Sequence, residues 1–355
     1  MPFALASARA WTRAFGIGCA AALAVLPCIA QANAAPQAGR SIDNELRLHA
    51  IAYRLGTANA ARCTAPAMLT GMILHDVGAY DAGTRAAISQ RRGLTYGFGV
   101  RKFVPGSPAD HAGIRPDDEI VAVNGTDLRD FATDAIAARG SYDRVARFED
   151  FLSAALRDGP ATLRIRHGSD QRDVTMTGEA ACGGEPVLVN SGELNAWSDG
   201  KYVAVTTRML AMAGDDAELS FVVAHEMAHN ALRHAERLGH FSPLLAEFGL
   251  GAGKVKQTEI EADKLAVEMM ASAHYDLAAP ERLLRHVGKF DFLDLATTHP
   301  AIGKRIEMAN TMRHQIETTL AASTATQPAT ESDAPAGALA LADAMTGGSG
   351  NPVSV

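Results

Sequence analysis

The chain has 355 residues, 33 basic against 40 acidic side chains, a formal net charge of −7 and a hydrophobic content of 47%. That balance excludes a protein that grips nucleic acid through its phosphates, a task that needs clustered Lys and Arg. The length is enough to bury a full core and to hold two domains.

At the N-terminus Arg9 and Arg13 precede an apolar run from Ala14 to about Ala30, which gives way to small residues at Ala32 and Ala34. This is the pattern of a secretory signal peptide with an A-x-A cleavage site, so residues 1–34 are expected to leave on export. The run is too short and too rich in Ala and Gly for a transmembrane helix, which wants about 20 strongly apolar residues. A lipoprotein acylated at Cys28 is the minor alternative. Of the four cysteines, Cys19 and Cys28 go with the leader, and Cys63 and Cys182 remain. In an exported chain two cysteines suggest one disulfide, the alternative being two free thiols.

From Ile42 to Ala60, Leu46, Ile51 and Leu55 recur among polar residues, which predicts an amphipathic helix; a looser segment follows to about Gln90. The texture then turns to short β-type runs, "YGFGVRKFV", "EIVAVNG" and "ATLRIRHG", separated by turn signals at Pro105-Gly106, Asn124-Gly125 and Asp158-Gly159-Pro160. Residues 91–179 therefore read as a small β-rich domain. Within it "VPGSPADHAGIRPDDEIVAVNG", residues 104–125, resembles the PDZ signature. The resemblance implies that Tyr96, Gly97, Phe98, Gly99 and Val100 form the loop and strand that capture a peptide carboxy-terminus by strand addition; the alternative is a PDZ fold that serves as a spacer.

After Cys182, "EPVLVN" and "KYVAVTTRML" read as strands, and helices follow from Asp215. Few strands and many helices predict a mainly helical domain with a small sheet, and an α+β chain overall. Leu219 to Leu232 is apolar on nearly every side, as in a buried helix with Asp215 or Asp216 as its cap. His225 and His229 lie one turn apart on it, with Glu226 about 100° round. Burying three ionisable groups without partners would cost several kcal/mol, and a metal ion removes that penalty. His225-Glu226-x-x-His229 is the H-E-x-x-H pattern of Zn²⁺ sites, in which the glutamate acts on the bound water. The third ligand is expected thirty positions on, in "TEIEADKLAVEMM", at Glu259. Asp263, one turn later, can hold the spare N–H of a ligating histidine. Glu261 competes with Glu259 but points elsewhere and fits a capping box with Thr258.

Together "HEMAHNALRH" and "EIEAD" resemble the zinc metallopeptidase family that includes HtpX, BepA and the CAAX prenyl endopeptidase. "LNAWSDGKYVAVTTRML", "YDLAAPERLLR" and "THPAIGKRI" resemble further blocks of that family. The resemblance implies a zincin-like domain over 180–320 with residues 35–90 as its N-terminal helical segment, one zinc per chain, and Glu226 as the proton carrier. It also places the PDZ domain as an insertion, with a disulfide joining Cys63 and Cys182 at its two junctions. Under this reading the strand at Lys201–Thr207 is an edge for an extended substrate, His299 is a transition-state donor or a plug on the zinc, or else a surface turn histidine before Pro300, Arg305 is an ion-pair partner and His234 packs below the site. The stretch between the two motifs is too short to span a bilayer, which leaves peripheral membrane contact open. Residues 321–355, almost free of large apolar side chains, are expected to be a disordered tail. The function that follows is a periplasmic endopeptidase of protein substrates in envelope quality control, recruiting them through the PDZ. The competing class is a peptide-binding chaperone or adaptor whose zinc site is plugged or idle.

Overall fold

The structure, a computed structural model, describes residues 34–63, 66–131, 136, 138–238, 252–289 and 300–326. Residues 1–33 (nearly all of the expected leader), His299 and the chain beyond Thr326 lie outside the described residues. The chain divides into two compact units, Met1–Asp43 and Asn44–Val355. Of the first unit, the described part is the opening of helix α1 (Ala34–Ala58). The second unit holds everything that follows.

Within the second unit α1 buries Leu48, Ile51, Ala52 and Leu55, an i, i+3, i+4, i+7 stripe that faces the helical core. The segment expected to be loose is instead ordered as strands β1 (Ala67–Leu69) and β2 (Met72–His75) and helix α2 (Ala82–Arg92). All four residues of β2 are buried, so no alternation betrays it in the sequence. Gly71, between the two strands, has φ +77°, and a Cβ there would run into the side chain of Ser107.

The β-rich region continues through β3 (Phe98–Phe103), the short helix α3 (Pro108–His111), β4 (Glu119–Val123), β5 (Thr126–Asp127), helix α4 (Asp143–Arg157), β6 (Ala161–His167) and β7 (Asp170–Met176). Its sheet has the order β2-β3-β4-β6-β7, with β5 paired to β4, and every pairing is antiparallel. Asn124 and Gly125 turn the β4–β5 hairpin with φ of 49° and 82°. Helix α4 lays Val145, Phe148, Leu152 and Leu156 on this sheet, and Phe148 stacks on Phe98 at 4.1 Å. Strand β8 (Glu179–Ala181) then returns to pair with β1, Ala67 opposite Ala181. The two chain crossings thus lie side by side, and the Cys63–Cys182 disulfide joins them with Cα atoms 5.4 Å apart.

The helical region opens with β9 (Glu185–Val189), β10 (Ala196–Ser198) and β11 (Tyr202–Thr206) in the order β10-β11-β9. β11 is therefore paired on both sides and is not the free edge expected of Lys201–Thr207. It also ends sooner than its apolar run suggests. The Thr206 hydroxyl caps the N–H of Met209, and Thr207–Met212 turn into helix α5. Helix α6 (Asp216–Ala231) is capped by the Asp215 carboxylate on the Glu218 N–H at 2.8 Å, and is buried without a break from Glu218 to Ala228. Helices α7 (His234–Leu238), α8 (Ala252–Ser272), α9 (Ala279–Val287) and α10 (Ile302–Thr326) complete the described chain. The stretch 321–326, assigned above to a disordered tail, is the last turn and a half of α10. Ala224 and Ala228 of α6 share a core with Ala262 and Ala266 of α8, small side chains that allow two helices close approach. The fold is α+β: a mainly helical region with a small sheet, and a β-rich region with its own core. Among the described residues no helix is long and apolar enough to cross a membrane.

Candidate active site

Helix α6 presents His225 and His229 one turn apart, and α8 brings Glu259 across to them. The two Nε2 atoms stand 3.1 Å apart; Glu259 Oε2 is 3.3 Å from His225 Nε2 and Oε1 is 3.5 Å from His229 Nε2. A tetrahedral ion about 2.0–2.1 Å from each ligand sets the ligand atoms about 3.3–3.4 Å apart, so the three donors fit such an ion with little adjustment. His225, Glu226 and Glu259 are all buried. His229 is partly buried and gives the cluster its open side.

The electrostatics point the same way. Burial alone would lower the pKa of His225, but its hydrogen bonds to Asp263 and Glu259 outweigh it and bring the value to about 10. A pocket that holds a proton so firmly favours a cation in its place. His225 Nδ1 lies 2.9 Å from Asp263 Oδ1. Burial would raise the Asp263 carboxyl, yet Arg305 and His225 hold it at about 2. Arg305, from α10, grips Asp263 twice, Nε to Oδ2 at 2.8 Å and Nη2 to Oδ1 at 2.7 Å. Asp263 accepts on every side, so His225 donates to it from Nδ1, and Nε2 is the nitrogen that turns to the cluster and would give up its proton to a cation.

Glu261 does not face this cluster. Helix α8 starts at Ala252, so Thr258 lies inside it, its hydroxyl bonded to the Val255 carbonyl, and no capping box forms. The Glu261 carboxylate instead accepts from Arg237 at 2.6 Å and Gln257 at 3.1 Å, bonds that hold its pKa at about 2. It also lies 3.3 Å from His234 Nε2. His234, almost wholly buried, places its Nδ1 2.9 Å from Nδ1 of His229. Sequence reasoning put His234 below the site but missed this contact. His299 lies outside the described residues.

The second expected site needs a correction. β3 carries Phe98, Gly99 and Val100, and it is hydrogen-bonded to β2 on one edge and to β4 on the other. An added peptide strand has no edge left there. The loop before it is also engaged: Glu119 accepts from the N–H of Thr95 and of Gly97, and a Cβ on Gly97 would collide with the Ile120 carbonyl. Tyr96 instead stacks under the Arg129 guanidinium. The sheet ends on β2. Beside it a cavity of about 120 Å³ lies between Leu69–Met72 and Leu74 on one wall and Leu152 and Ser153 of α4 on the other, with His49 and Tyr53 of α1 at its margin.

Residues 174–257 and 240–313 match the model of Peptidase family M48, and residues 99–142 match a PDZ domain model. No curated protein matches the chain. Among solved structures, the chain is similar to the HtrA3 PDZ domain bound to a phage-derived ligand (FGRWV), at 20% identity and TM-score 0.24, over 33% of this chain and 89% of that one. It is also similar to the HtrA-type protease AlgW with a decapeptide, at 14% identity and TM-score 0.24, over 32% of this chain and 30% of that one. The chain thus spans less than a third of the AlgW chain's length.

Proposed function

We propose that this chain, which matches Peptidase family M48 over residues 174–313 and a PDZ domain over residues 99–142, is a zinc-dependent endopeptidase with an inserted PDZ domain. It hydrolyses protein substrates in the periplasm as part of envelope quality control. The observation that carries the reading is the convergence of His225, His229 and Glu259, from two helices, at separations that suit one tetrahedral ion. Those three residues would hold the zinc, which when bound supplies Lewis-acid polarisation of the scissile carbonyl and a more acidic water.

The chain's own groups do the rest. Glu226, on the same buried turn as both histidines, takes a proton from the attacking water and delivers it to the leaving amine. Asp263 and Arg305 keep His225 in the tautomer that leaves Nε2 available. Peptide recruitment belongs to the groove between β2 and α4, where an extended segment can add to the last strand of the sheet. The leader-like N-terminus supports export, and the Cys63–Cys182 disulfide suits an oxidising compartment.

The test is hydrolysis of an unfolded substrate such as casein by the wild type and by Glu226→Gln. The variant should retain zinc and lose activity by about 10²–10⁴-fold. Equal cleavage by both would remove Glu226 from the chemistry. A wild type that never cuts but suppresses aggregation would instead make the protein a peptide-binding adaptor.

A further inference from the structure

We infer that His234 and Glu261 form a positioning pair for His229, a second histidine–carboxylate relay that fixes which nitrogen His229 turns to the metal. The inference rests on the zinc reading above and extends it to residues outside the ligand set. The two ligating rings face each other through Nε2, so each needs a partner on Nδ1 that accepts a proton and holds the ring. For His225 that partner is Asp263, an acceptor only. For His229 it is another imidazole, His234, whose Nδ1 lies 2.9 Å away. An imidazole is ambiguous in this role, because a neutral ring carries its proton on either nitrogen.

Glu261 removes the ambiguity. Its carboxylate faces His234 Nε2 at 3.3 Å and accepts there without donating. It therefore keeps the His234 proton on Nε2 and leaves Nδ1 as a lone pair. His229 then donates from Nδ1 into His234, and its own lone pair on Nε2 points at the cluster. Arg237 and Gln257 donate to the same carboxylate and fix its orientation. Each step has a donor facing an acceptor, and the chain of bonds leads from the surface at Arg237 to the inner nitrogen of His229.

The experiment compares full-length wild type with His234→Leu, His234→Asn and Glu261→Ala. Zinc affinity is measured by competition with a chromophoric chelator, and the visible spectrum of the Co²⁺-loaded protein reports ligand geometry. His234→Leu should weaken zinc about 10–100-fold and change the Co²⁺ spectrum, the range found for partners of metal-bound histidines. Asn offers an amide oxygen near the place of Nδ1, so His234→Asn should recover most of the affinity. Glu261→Ala should weaken zinc by less than His234→Leu. The inference is overturned if His234→Leu binds zinc as tightly as wild type. It is equally overturned if Asn and Leu weaken binding alike while lowering the metal-free melting temperature alike, since that describes packing alone. Loss of zinc in a His229→Ala control with no effect of His234 sinks this inference and leaves the zinc reading standing; a wild type that takes up no zinc sinks both.

Discussion

At the scale of single residues, the site depends on charges that would be costly to bury singly. Asp263 and Arg305 are both nearly inaccessible and hold each other through two hydrogen bonds. Removing one member of such a pair strands the other, which costs about 3–5 kcal/mol, whereas the intact pair adds little net stability. Arg305→Met should therefore lower unfolding stability in urea by about that amount and weaken zinc at the same time, because Asp263 no longer holds its position against His225. Unchanged urea stability would mean that Asp263 finds another partner. His225 and His229 were legible in the sequence because helical periodicity sets them one turn apart; Glu259, on another helix, was expected from the need for a third ligand. The role of His234 was not. Its approach to His229 depends on Arg233, which takes a left-handed φ of 53° and breaks α6 from α7. No glycine marks that turn, and a non-glycine residue in this conformation leaves no trace in composition or period.

At the scale of elements, the buried helix α6 declared itself, whereas strands β1 and β2 did not. Helix α6 has an acidic cap and an unbroken apolar run, so both its start and its burial follow from elementary rules. β2, four buried residues long, and β11, cut short by the Thr206 cap, depend on which neighbours they find. The same dependence hid which strand ends the sheet, because that is a property of the pairing order. A ¹⁵N-labelled protein titrated with a peptide that has an apolar carboxy-terminus should show its largest amide shifts at Leu69–Leu74 and at Leu152 and Ser153. Largest shifts at Tyr96–Val100 would restore the original assignment and contradict the hydrogen bonding of β3.

At the scale of the molecule, the β-rich region is strung between two adjacent crossings, β1 beside β8, closed by a disulfide with a sequence separation of 119. In the chain-entropy view a loop of that size contributes up to about 4–5 kcal/mol by restricting the unfolded chain. Replacing Cys63 and Cys182 by Ala together should lower the melting temperature, and reductant should do the same to the wild type but leave the variant unaffected. An equal response of both to reductant would locate the effect elsewhere. The sequence anticipated this bond from compartment and position, without the β1–β8 ladder that brings the two sulfurs together.

That bond makes the intervening hundred-odd residues a covalent ring hung on the helical region. A single backbone scission anywhere within the ring would open it without releasing a fragment. The nicked protein would migrate as one band on a denaturing gel until a thiol is added, and only then fall into two. A chain nicked there would thereby keep its two parts together.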